Sequence, residues 1–192
     1  MPGVRDTWRA VALEPGMMPV SSAPGTAAVV ELALQVACNA ENLPDERDIE
    51  EWLGDVLAAV PGNAGRAREI GVRIVADAEG RDLNRRYRGH DSATNVLSFP
   101  AAPADAFTQL ADDEPLPLGD LVLCAPVITR EAGEQGKPER AHWQHLLVHG
   151  ALHLLGYDHA TDADAADMEA LEIRLLAARG VDNPYRGRES PG

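Results

Sequence analysis

The sequence predicts an α+β fold: a single mixed β-sheet of about four strands packed with about five to six helices. Three observations carry that prediction. The 192 residues suffice for one buried core and fall short of two. Through the first two-thirds of the chain, short apolar segments of strand character are interspersed with helical ones. The last third reads as one helix after another, which gathers helices at one end of a sheet. No internal repeat or coiled-coil heptad competes with this reading.

The elements follow in order. Residues 1–27 carry Pro2, Gly3, Pro15, Gly16, Pro19, Pro24 and Gly25 and read as a disordered extension. Met17 and Met18 offer an alternative start of translation, which a peptide map of the native N-terminus tests. One domain is expected over 28–185, followed by a frayed tail, 186–192. "AVVELALQVAC" (28–38) has the continuous apolar character of a buried strand. In "LPDERDIEEWLGDVLAAV", Ile49, Trp52, Leu53, Val56 and Leu57 follow helical spacing behind a cap at Asp45 or Asp48. "EIGVRIVAD" alternates Ile70, Val72 and Ile74 with polar residues, as a strand does. "AEGRDLNRRYRG" is a short helix stopped at Gly89, and "TNVLSFP" a strand stopped by Pro100. Residues 101–117 form a loop, and "LGDLVLCAP" is the last strand. Three helices complete the chain: "ITREAGEQG", "PERAHWQHLLVHGALHLLG" and "DADAADMEALEIRLLAARG".

Composition excludes some functions. No apolar run approaches the roughly 20 residues of a membrane-spanning helix, and no secretory signal precedes the first strand. Cys38 and Cys124 sit in apolar runs and read as buried free thiols of a cytoplasmic protein. A net charge of −14 argues against a broad nucleic-acid-binding surface. The charge is uneven, however: "RDLNRRYRGH" holds four arginines and one aspartate. Arg81, Arg85 and Arg86 suit a solvated helix face. Arg88, at the helix stop, can present its guanidinium fork to a phosphate.

The chemistry concentrates in "HGALHLLGYDH", His149 to His159. Histidines four apart on a helix point at one ion, so His149 and His153 form a natural pair. Gly156 ends the helix, the chain doubles back, and His159 supplies a third ring. Three imidazoles with one open coordination position suit a catalytic zinc, which lowers the pKa of bound water. The expected metal site thus lies in the C-terminal helical part. His145, His149 and His153 would span about 12 Å of helix, too far to close on one ion, so His142 and His145 are read as cleft neighbours. The zinc-peptidase pattern H-E-x-x-H would place a glutamate at Gly150. Glycine removes that base, disfavours a peptide substrate and leaves room beside the metal. Asp158 can orient a ring or close the turn. Tyr87, Phe99 and Trp143 are candidates for stacking on a ligand, although core packing is the preferred role for each.

"YRGHDSATNVLSFP", "LGDLVL", "EQGKPERAHWQHLLVHGALHLLGYDH" and "MEALE" together closely resemble the YbeY family, from about Val29 to Tyr185. The resemblance implies a zinc-dependent, single-strand-specific endoribonuclease. It implies action in small-subunit ribosomal RNA 3′-end maturation and ribosome quality control, with single-stranded RNA and ribosomal proteins or other ribosome-associated factors as partners. It places one Zn2+ per chain on His149, His153 and His159, and the functionally important arginine on Arg88. His90 departs from the family's usual lysine, and Ala125-Pro126 from its usual polar residues. Two other readings stand beside this one: a ribosome assembly factor with a structural zinc, and a zinc hydrolase of another substrate class.

Overall fold

A computed structural model describes residues 29–63, 66–111 and 113–186. The expected N-terminal extension and nearly all of the expected frayed tail lie outside these residues. Four strands, β1 (Val30–Ala37), β2 (Arg68–Val75), β3 (Val96–Pro100) and β4 (Leu116–Cys124), form one sheet in the order β1-β2-β4-β3. β1, β2 and β4 run parallel, and β3 is the antiparallel edge. Five α-helices accompany it: α1 (Glu46–Ala59), α2 (Asp77–Arg88), α3 (Ala125–Glu134), α4 (Glu139–Leu154) and α5 (Asp162–Ala178). The fold is the α+β class expected, with a mixed four-stranded sheet.

Strand alternation divides the core between two faces. Ile70, Val72, Ile74, Leu121 and Leu123 pack with α1, α4 and α5 residues into the main cluster. Val75, Leu97, Val122 and Cys124 point the other way, towards Leu83 of α2. The α1 cap is Asp45, whose carboxylate accepts from the Asp48 amide at 2.8 Å. At Gly119 the backbone turns to φ +141°, and a Cβ there would lie 2.4 Å from the Phe99 carbonyl oxygen. Only glycine lets β3 approach β4 this closely.

Several local expectations change. β1 is an edge strand paired with β2 alone, and its residues are half-buried or exposed. Its apolar character covers one sheet face; it is not enclosed on both. Cys38 is half-buried, and only Cys124 is buried. Ala125-Pro126 open α3 instead of closing β4, since proline suits the first turn of a helix. The 101–117 loop holds a short 3-10 turn, Ala104–Phe107, and β4 begins two residues earlier than its apolar run.

Candidate metal centre

α4 is buried along most of its length, against the sheet on one side and α5 on another. It ends in a Schellman turn: the Tyr157 amide donates to Leu152 and the Gly156 amide to His153, with Gly156 at φ +89°. This reversal brings His159 back beside the helix. The ring centroid of His159 lies 6.0 Å from that of His149 and 5.0 Å from that of His153. One ring nitrogen from each of the three lies within 4.8 Å of the others.

Hydrogen bonds fix which nitrogens face inward. His153 Nδ1 lies 2.9 Å from the Tyr157 carbonyl, which can only accept, so Nδ1 carries the proton. His149 Nδ1 lies 2.6 Å from Glu172 Oε1 on α5 and donates to that carboxylate. With both rings neutral, both Nε2 atoms are bare acceptors, and they stand 3.1 Å apart. Two facing lone pairs repel unless a proton or a cation lies between them. Two ligands of a tetrahedral ion bound at ~2.0–2.1 Å would stand roughly 3.3–3.4 Å apart. The donor set therefore fits a divalent ion of the zinc class. Burial pushes the pKa of His153 down, and the neighbouring His149 and His159 push it further. Neutral imidazole is the ligand form.

Glu172 went unread in the sequence beyond its place in "MEALE". It is 0% exposed. Burial alone would raise its pKa. The histidine contacts and the Tyr185 hydroxyl outweigh that and hold it at about 2. His145 Nε2 stands 3.6 Å from Glu172 Oε2, outside hydrogen-bond reach. A signal for Glu172 does exist: Met168, Leu171, Leu175 and Leu176 mark the apolar stripe of α5, and a charged residue falls inside it.

Other expectations are revised. A Cβ on Gly150 would meet Leu121 Cδ2 at 2.9 Å, Val96 Cγ2 at 3.2 Å and Ser98 Oγ at 3.3 Å. The glycine lets α4 lie close on the sheet and opens no space beside the rings. Asp158 Oδ1 accepts from the His159 amide at 2.8 Å and stands 3.4 Å from His159 Nδ1, so it faces both the turn and the ring. Trp143 is core, at 1% exposure, and Phe99 packs on the α2 side. Tyr87 is 46% exposed and touches Phe99 edge-on. Arg81 pairs with Asp91, and Arg85 and Arg86 with Asp82. Arg88 forms no ion pair with a carboxylate of the described residues. It is exposed at the helix stop, where Gly89 adopts φ +76°. Arg88 and the three histidines line one cleft of about 1190 Å³, with Ser98, His142 and His145.

Fold and cleft define a class first: single-sheet α+β proteins whose cleft is lined by clustered histidines at the helical end. Comparison with known proteins narrows it. The family profile described as Endoribonuclease YbeY matches residues 35–180. Proteins named Endoribonuclease YbeY are similar along most of their length. That of Halorhodospira halophila is 52% identical over 83% of this chain and 98% of its own. Those of Alkalilimnicola ehrlichii and Stutzerimonas stutzeri are 55% and 50% identical, over 75% and 85% of this chain and 83% and 95% of theirs. The chain belongs to the endoribonuclease YbeY family. Its fold is similar to the solution structure of TM1509 from Thermotoga maritima, with a TM-score of 0.51 at 19% identity, covering 84% of this chain and 99% of that one.

Proposed function

We propose that this protein is a zinc-dependent, single-strand-specific endoribonuclease of ribosomal RNA. Family membership makes it an RNA-hydrolysing nuclease. The finer reading has one zinc ion per chain held by His149, His153 and His159, and Arg88 as the residue that meets the phosphate. The observation that carries it is the pair of Nε2 atoms 3.1 Å apart, with the third ring beside them.

Zinc, held by His149, His153 and His159, would supply Lewis acidity towards a phosphodiester. The chain's own groups do the rest. The Tyr157 carbonyl holds the ring of His153 in one orientation. Arg88, lining the same cleft, orients the phosphate through its fork and neutralises charge that builds on it. Single-strand preference suits recognition of unpaired bases, which can splay and stack. The substrate site is the small-subunit rRNA 3′ end, and the work belongs to rRNA maturation and ribosome quality control in the cytoplasm. Among the described residues no helix is long and apolar enough to cross a membrane.

A second reading keeps one observation in its favour. A net charge of −14 suits a basic ribosomal protein as partner, and an assembly factor would need the metal only for structure. The deciding experiment puts metal-analysed wild type, His153→Ala and Arg88→Glu on 5′-labelled single-stranded RNA, each variant checked for folding by circular dichroism. One zinc per chain, with cutting by wild type and none by the folded variants, supports the nuclease reading. Equal cutting by all three marks a contaminant and moves the assembly role to first place.

A further inference from the structure

Glu172 is an odd residue to place where it lies. A fully buried carboxylate is costly unless something compensates it. Both ion-pair contacts of Glu172 are imidazoles, His149 at 2.6 Å and His145 at 3.6 Å. Its second oxygen takes the Tyr185 hydroxyl. A leucine would suit the same stripe of α5 at no electrostatic cost. Negative charge there can help to hold positive charge on the far side of the His149 ring.

Tyr185 comes from the segment after α5. Its ring meets His145 edge-on at 5.8 Å, and its amide donates to Asn183 Oδ1 at 2.8 Å. Lys137 Nζ donates to the Pro184 carbonyl at 3.1 Å and ties the segment to the loop before α4. The order of contact is therefore segment, Tyr185, Glu172, His149. We propose that Glu172, held in place by Tyr185, is a positioning residue. It keeps the proton of His149 on Nδ1 and the Nε2 lone pair aimed at the ion, so that the C-terminal segment latches the metal centre. This inference rests on the reading of His149, His153 and His159 as the metal site. Carboxylate partners of this kind change metal affinity by about 10–100-fold.

The test compares full-length wild type, Glu172→Gln and Tyr185→Phe. Zinc affinity is measured by competition with a chromophoric chelator, and the His149 tautomer by 15N NMR of the metal-free protein. Thermal melting of the metal-free forms checks the fold. The expected result is zinc affinity about 10–100-fold weaker in Glu172→Gln and weakened by less in Tyr185→Phe. The Nδ1–H tautomer of His149 should dominate in wild type and give way to a mixture in Glu172→Gln. Should Glu172→Gln fail to fold, Tyr185→Phe carries both readouts. Unchanged affinity and an unchanged tautomer in a folded variant overturn the proposal and leave Glu172 a structural residue. Two zinc ions per wild-type chain, one of them lost in Glu172→Gln, also overturn it, since Glu172 would then ligate a second ion with His145. A wild type that binds no zinc but shows the Glu172-dependent tautomer refutes the metal reading while the positioning contact stands.

Discussion

Gly150 shows how one residue's meaning changes with its surroundings. In the sequence it marks a missing general base. In the fold its Cα faces the sheet, and a side chain would strike Leu121, Val96 and Ser98. A glutamate there could not lie beside the three rings without lifting α4 off β3 and β4. Gly150→Ala should cost about 1–3 kcal/mol by overpacking, read as a lower urea midpoint; an unchanged midpoint would mean that the helix yields freely. His142 supplies the pH dependence at this scale. Burial pushes its pKa below 6.5, against the pull of Glu131. The unfolded chain therefore takes up the proton first. Stability is intact above pH 6.5 and declines as pH falls from there towards the depressed folded value. The urea midpoint of metal-free wild type should drop between pH 7.5 and 5.5 by more than that of His142→Gln. Equal drops would assign the loss to other groups.

At the scale of elements, the α4–turn–α5 unit builds the centre. α4 supplies two rings, the turn a third ring and the Tyr157 carbonyl, and α5 the carboxylate. Gly156 holds the turn at φ +89° with nothing within 4 Å of a would-be Cβ. Gly156→Ala therefore meets no clash, only the strain of a left-handed backbone, about 1–2 kcal/mol. Because that strain falls on the turn that carries His159 and the Tyr157 carbonyl, zinc affinity should fall as well. Isothermal titration of the folded variant checks this, and wild-type affinity would detach the turn from the site. β1 teaches a different lesson. An apolar run resembles a buried strand whether it ends at the centre or at the edge of a sheet, because pairing partners lie far away in sequence.

For the whole molecule the question is how a chain of charge −14 meets RNA. Arg81 pairs with Asp91, and Arg85 and Arg86 share Asp82, while Arg88 on the same helix forms no ion pair with a carboxylate of the described residues. Each phosphate neutralised on a single strand contributes about −0.7 to the slope of log affinity against log salt. The slope should be shallow, and Arg88→Gln should reduce its magnitude by about 0.7. An unchanged slope in that variant would place the phosphate elsewhere. Residues 28–185 are proposed as the folding unit, so a chain starting at Ala28 should melt at the same temperature as the full chain. A large drop would assign part of the fold to residues 1–27.

The sequence by itself determined the fold class, the five helices to within a few residues, and the strands other than the true place of β1. These depend on local periodicity and caps, which neighbouring residues settle among themselves. It also determined that His149, His153 and His159 could converge, since a helix repeat and one glycine turn govern their spacing. Only the tertiary structure decided what surrounds them. Glu172 lies 23 residues from His149 and meets it because α5 packs on α4. Gly150 faces the sheet because the core claims that side of α4. Arg88, at the end of α2, lines the same cleft as the histidines of α4, far away in sequence. Such contacts follow from how apolar faces pack together, and no local pattern encodes them.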